Sequence, residues 1–107
     1  MNKEKITKDQ IRSDLKNIRY YYSYINDIEK ATQDCNLNFI NKIKLYNQMI
    51  SFASVPLYKI YHQLYILSET QESTSDKLKY SVEYICKLNS KLIDFFHSMM
   101  NLPDFVI

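Results

Sequence analysis

The 107-residue chain contains no glycine and only two prolines. Tight β-hairpins draw on Gly or Asn-Gly turns, so this lack, together with helical periodicity throughout, predicts an all-α fold. It also excludes a glycine-rich loop that cradles phosphates. The two cysteines, Cys35 and Cys86, follow no framework spacing. With His62 and His97 they make no metal-ligand pattern such as a CxxC pair, so neither a metal nor a cofactor is expected. No run of about 18 apolar residues is present to span a bilayer. The N-terminal MNKEKITKDQIRSDLK lacks the apolar core of a signal peptide. These absences predict a cytoplasmic protein with reduced thiols, without membrane contact and without a small-molecule substrate. No motif brings a nucleophile, a base and an acid together, so the chain is not expected to be an enzyme.

What is present is apolar bulk in helical register. Apolar residues make up 46% of the chain, and ten of them are tyrosines. That is enough for a globular core, and the length suits a single domain spanning 1–107. The net charge is +2, unevenly placed. Residues 1–50 carry nine Lys and Arg against six Asp and Glu, whereas residues 51–107 carry five against six.

A first helix is predicted from about Thr7. Ile11, Leu15, Ile18, Tyr22 and Ile25 recur at steps of four and three, which is the seam of a bundle or a short coiled coil. Two readings follow: the helix packs within its own bundle, or the seam joins a homodimer. Arg12, Lys16 and Arg19 form a basic stripe on the other face. A break is expected at 32–36, with Asp34 or Asn36 capping a second helix that runs to about Phe52. Its stripe is Phe39, Ile43, Tyr46 and Ile50, flanked by Ile40 and Met49, with Lys42 and Lys44 facing away. Ser54-Val55-Pro56 makes the next break, since proline suits a first helical turn and not an interior one. A third helix from Leu57 to about Leu67 should bury Leu57, Ile60, Tyr61 and Leu64.

The stretch Thr70–Lys91 then reads as helix, tight turn and helix. Thr70 is placed to cap the first. Thr74 and Leu78 should face inward, Ser75 supplies a small side chain where the helices approach, and Tyr80 closes the turn. Ser81 should cap the second helix, with Glu83 in its first turn, where the dipole favours a negative charge. Ile85, Leu88 and Leu92 should face inward. Steeply crossing short helices with a small residue between them are what a helix-turn-helix requires. The last helix continues through Phe95, Phe96 and Met99 to Leu102-Pro103, leaving nothing for a β-hairpin wing. The expected architecture is a five-helix bundle. Two N-terminal helices (1–53, a bundle or dimer module) precede a trihelical helix-turn-helix unit (54–101).

These elements resemble the promoter-reading C-terminal domain of bacterial sigma factors, on Thr70 and Glu72, the turn Lys79-Tyr80-Ser81, and Glu83, Ile85, Leu88 and Lys91, without a gap. PLYKIYHQLYILSETQES resembles the helix leading into that unit. YSVEYICKLNSKLIDFF looks like small ArpU-type phage regulators of Gram-positive bacteria. The resemblance covers roughly the C-terminal half. Lys79 stands where the family carries Gly, and Val82 and Cys86 stand where sigma factors place arginines. The resemblance implies a sequence-specific binder of double-stranded DNA, a phage- or plasmid-type transcription regulator or DNA-site accessory protein, acting with RNA polymerase. The expected contact residues are Lys77, Lys79, Ser81, Val82, Glu83, Cys86, Lys87, Asn89, Ser90 and Lys91. The alternative is a non-enzymatic interaction module that binds RNA polymerase or another regulator through the same shape.

Overall fold

The computed structural model describes residues 6–25 and 37–102, with residues 25, 37 and 38 described by their backbone alone. The break at 32–36 with Asp34 or Asn36 as cap, Cys35, the Ile25 side chain and the 104–107 tail lie outside the described residues. The fold is all-helical, with five α-helices and no strand among the described residues: α1 (Lys8–Ile25), α2 (Leu37–Ile50), α3 (Val55–Tyr61), α4 (Gln71–Leu78) and α5 (Val82–Met100).

Each helix starts or stops for a local reason. The Thr7 hydroxyl accepts from the Gln10 N–H at 3.1 Å and so caps α1. The second helix ends at Ile50, short of Phe52. There the backbone tightens into bonds three residues back, Phe52 to Met49 and Ala53 to Ile50, both 3.0 Å. This turn swings Phe52 into solvent. Ser54 is the extended N-cap of α3, with Pro56 in its first turn.

The third helix does not run on to Leu67 as an α-helix. It widens into a π-turn over His62–Ile66, closed by the Leu67 N–H on the His62 carbonyl at 2.9 Å. Ser68 then takes positive φ, 55°. A contact from α1 holds this turn: Arg19 Nη1 donates to the Leu64 carbonyl at 2.6 Å and to the Glu69 carbonyl at 2.7 Å. In return Ser68 Oγ donates to the Arg19 carbonyl at 3.0 Å. Arg19 therefore belongs to the frame, spanning carbonyls that the helix end would leave unpaired.

One core serves all five helices. Ile11, Leu15 and Ile18 are 0%, 1% and 0% exposed and join Ile43, Tyr46, Met49 and Ile50 of α2, Ile60 and Tyr61 of α3, and Ile85, Leu88, Leu92, Ile93 and Phe96 of α5. Ile11, Leu15 and Ile18, spaced at steps of four and three along α1, thus pack into the chain's own core. Tyr22, also in that series, is half-buried, and its hydroxyl accepts from Asn47 Nδ2 at 3.1 Å. Leu57, expected in the core, is only half-buried against it.

Lys42 does not simply face away. Its Nζ lies 3.2 Å from Asp14 Oδ1, and the Tyr46 hydroxyl donates to Asp14 Oδ2 at 2.7 Å. Asp14 is nearly buried. A buried carboxylate is tolerated because two donors meet it. Burial, and then that bond to Asp14, push the Tyr46 phenol well above its ordinary range. Burial does the same to Tyr61, whose hydroxyl donates to Asn47 Oδ1 at 2.6 Å.

Candidate functional site

The stretch singled out by sequence is built from two capped helices and a three-residue turn. Thr70, in extended conformation, accepts from the Ser73 N–H at 3.0 Å and starts α4. The Glu69 carboxylate reinforces that start. It accepts from Ser73 Oγ at 2.6 Å and lies 3.1 Å from Lys77 Nζ. The Ser73 hydroxyl first, and then Lys77, hold the Glu69 carboxyl below its ordinary value.

The first helix of the pair ends at Lys79, which adopts the left-handed conformation at φ 62°, ψ 34°. Its N–H donates to the Ser75 carbonyl at 2.9 Å, the usual left-handed helix stop. A lysine thus holds a backbone conformation that glycine adopts at least cost. Ser75 does more than make room, since its hydroxyl donates to the Tyr80 carbonyl and ties the turn back onto α4. Ser81, again extended, accepts from the Tyr84 N–H at 3.1 Å and starts α5. The rings of Tyr80 and Tyr84 meet edge to face at 5.0 Å.

The inner faces are closed. Thr74 is fully buried and Leu78 packs against the core, as do Ile85, Leu88 and Leu92. The outer face of α5 is open: Val82, Glu83, Tyr84, Cys86, Lys87, Ser90 and Lys91 are all exposed, as are Lys79 and Ser81. Lys79, Lys87 and Lys91 have no acidic partner among the described residues, while Lys77 is held by Glu69. The Cys86 thiol lies 3.4 Å from Gln71 Oε1 of α4. Asn89 is half-buried at the margin, and its Oδ1 accepts from the Tyr65 hydroxyl at 2.5 Å. Burial raises the Tyr65 phenol, opposed by that bond and by Arg19.

Periodicity alone did not reveal how α1 meets α5. Lys8 pairs with Asp94 at 2.8 Å, in the C-terminal half of α5. Further along, Arg12, Lys16 and Arg19 line a cleft with Asn89, Ser90 and Ile93, floored by Tyr65. The basic stripe of the N-terminal half thus lies beside the open face of α5. Only a stripe of like charge at helical spacing signalled it, and such a stripe cannot name the helix it will adjoin.

Among the described residues no three His, Cys, Asp or Glu side chains gather as a metal site would require. No helix among them is long and apolar enough to cross a membrane. Comparison of the chain with protein-family models, with curated proteins and with solved structures finds no match.

Proposed function

We propose that the protein is a non-catalytic, sequence-specific DNA-binding protein of sigma-like helix-turn-helix type, a phage- or plasmid-type transcription regulator or DNA-site accessory protein. The observation that carries this reading is the pairing of α4 and α5 across a left-handed turn, with inner faces buried and the outer face of α5 open and bearing unpaired Lys87 and Lys91. In such a unit the N-terminal part of the second helix enters the major groove. Lys87 is the residue for a guanine edge or a phosphate, Ser90 for a phosphate, and Glu83 for a cytosine amine.

The test is binding to DNA flanking its own gene, titrated across salt. Tight, sequence-dependent binding that weakens steeply with salt is expected. Lys87→Ala should cost about 1–3 kcal/mol on the preferred sequence. A variant that shifts the same fragment equally well removes the recognition-helix assignment.

A second reading rests on Val82 and Tyr84. Both are exposed apolar side chains in the first turn of α5, where a base reader carries polar groups. They suit a protein partner, with RNA polymerase or another regulator as the first candidate. Absence of DNA binding at low salt, with retention on immobilised polymerase that Val82→Asp abolishes, is the outcome this reading predicts.

A further inference from the structure

Resting on the DNA-binding reading, we infer that the cleft between α1 and α5 is a second contact for the same duplex. It seats a stretch of phosphodiester backbone against Arg12 and Lys16 while α5 enters the adjoining groove. The cleft measures about 320 Å³. Three of its lining side chains are cations, Arg12, Lys16 and Arg19, and none is a carboxylate. Arg19 spends its hydrogen bonds on two backbone carbonyls and shares its charge with the nearby Glu69 carboxylate, so Arg12 and Lys16 are the cations left for a ligand. Lys16 is exposed and has no acidic partner among the described residues. Arg12 is held by Asp9 at 2.7 Å, but that exposed pair within one helix is weak and exchangeable for a phosphate.

The α5 side of the cleft matches. Asn89 accepts from the Tyr65 hydroxyl through its Oδ1 and keeps its amide N–H groups as donors, and Ser90 presents an exposed hydroxyl. Lysine, arginine and an amide amine only donate, and a hydroxyl donates or accepts as required. A cleft whose free groups are donors selects a ligand whose oxygens only accept.

Continuity with the α5 face points to the backbone of a bound duplex, not to a free anion. Ser90 belongs to both surfaces, with Lys91 following it and Lys87 three residues before it on the same helix. Charge leads to the same conclusion. Residues 51–107 carry more acids than bases, too few cations to hold DNA alone. Packing α1 along α5 brings cations of the basic half to the interface.

The experiment compares the full chain with the double variant Arg12→Ala/Lys16→Ala, on the preferred duplex and on a scrambled one, across a salt series. Both side chains are exposed, so the fold does not rest on them, and circular dichroism checks this. Each lost phosphate contact should flatten the plot of log K against log salt by about 0.9, so by about 1.8 for the pair. Affinity for the two duplexes should fall by the same factor. Lys44→Ala/Lys59→Ala removes two exposed lysines outside the cleft and should leave the slope unchanged. A double variant with wild-type slope and affinity overturns the cleft while leaving the α5 reading in place, as does a control pair that flattens the slope equally. A wild-type protein that binds neither duplex overturns the DNA reading and the cleft with it.

Discussion

Lys79 holds a conformation that its Cβ disfavours. Left-handed backbone costs a residue with a side chain about 1–2 kcal/mol. Here the cost is met by the Lys79 N–H on Ser75 and the Ser75 hydroxyl on Tyr80, both of which need that turn. Lys79→Gly should therefore stabilise the protein by up to about 1 kcal/mol, part of the gain being lost to the freer unfolded chain. The expected signature is a higher urea midpoint at constant slope, with Lys79→Val moving the midpoint the other way. If both are neutral, the turn is not left-handed in solution. Glu69 gives a pH prediction with a definite sign. Its carboxyl is held below its ordinary value of 4.5 by the Ser73 hydroxyl and Lys77. The stability it contributes is fully present above that value and is lost as pH falls below it, through the lower folded value. Glu69→Gln should remove this part of the acid loss, and an NMR titration of the Glu69 carboxyl should report a midpoint below 4.5. At this scale the caps Thr70 and Ser81 were legible because a cap acts on backbone only three residues away. Lys42 was not, since its partner Asp14 lies 28 residues earlier.

Between residue and molecule stands the junction of α1 with the connector ahead of α4. The sequence YHQLYIL contains no breaker and reads as uninterrupted helix, yet it opens into a π-turn. The reason is tertiary: Arg19 gathers the Leu64 and Glu69 carbonyls from 45 and 50 residues away, and Ser68 answers from its left-handed turn. No spacing rule reports such a contact, which is why Arg19 read as one more solvated cation of a stripe. The helices themselves were legible, because apolar periodicity and caps are local, and the same rules drew the α4–α5 pair with its open face. Which helix would lie beside that face was decided by the shared core. Arg19→Lys keeps the charge but not the forked geometry that spans two carbonyls. It should cost about 1.5–3 kcal/mol, as for hydrogen bonds to a charged group. Amide exchange should locate the damage: the N–H groups of Leu67 and Glu69, which bond to His62 and Gln63, should lose protection ahead of those in α2. Equal loss everywhere would mean that Arg19 supports the whole fold and not this junction.

For the whole molecule, the question is whether α1 is a module that can leave or part of the core that the described helices share. Ile11, Leu15 and Ile18 are buried in the chain's own core, where α1 packs mainly against the π-turn and α5. Asp14, on the same helix, is tied to Tyr46 and Lys42 of α2, and Arg19 to the connector. To offer its inner face to a partner, α1 would have to give up these apolar, ionic and backbone contacts together. Ile18→Asp separates the cases. In a homodimer seam it would yield folded monomers with intact helices. In the bundle it places an unpaired carboxylate in a site with no exposure, where even the loss of apolar contact alone costs about 2–5 kcal/mol. A domain of this size has about 5–15 kcal/mol to lose. The variant should therefore lose much of its helical circular dichroism, or melt far lower, by an amount independent of protein concentration. Lys16→Asp, two residues away on the exposed face, should leave melting nearly unchanged. Melting of the wild type that rises with concentration, and a well-folded Ile18→Asp that sediments at half the wild-type mass, would return α1 to the role of a dimer seam. The cleft beside α5 would then have to be formed by two chains.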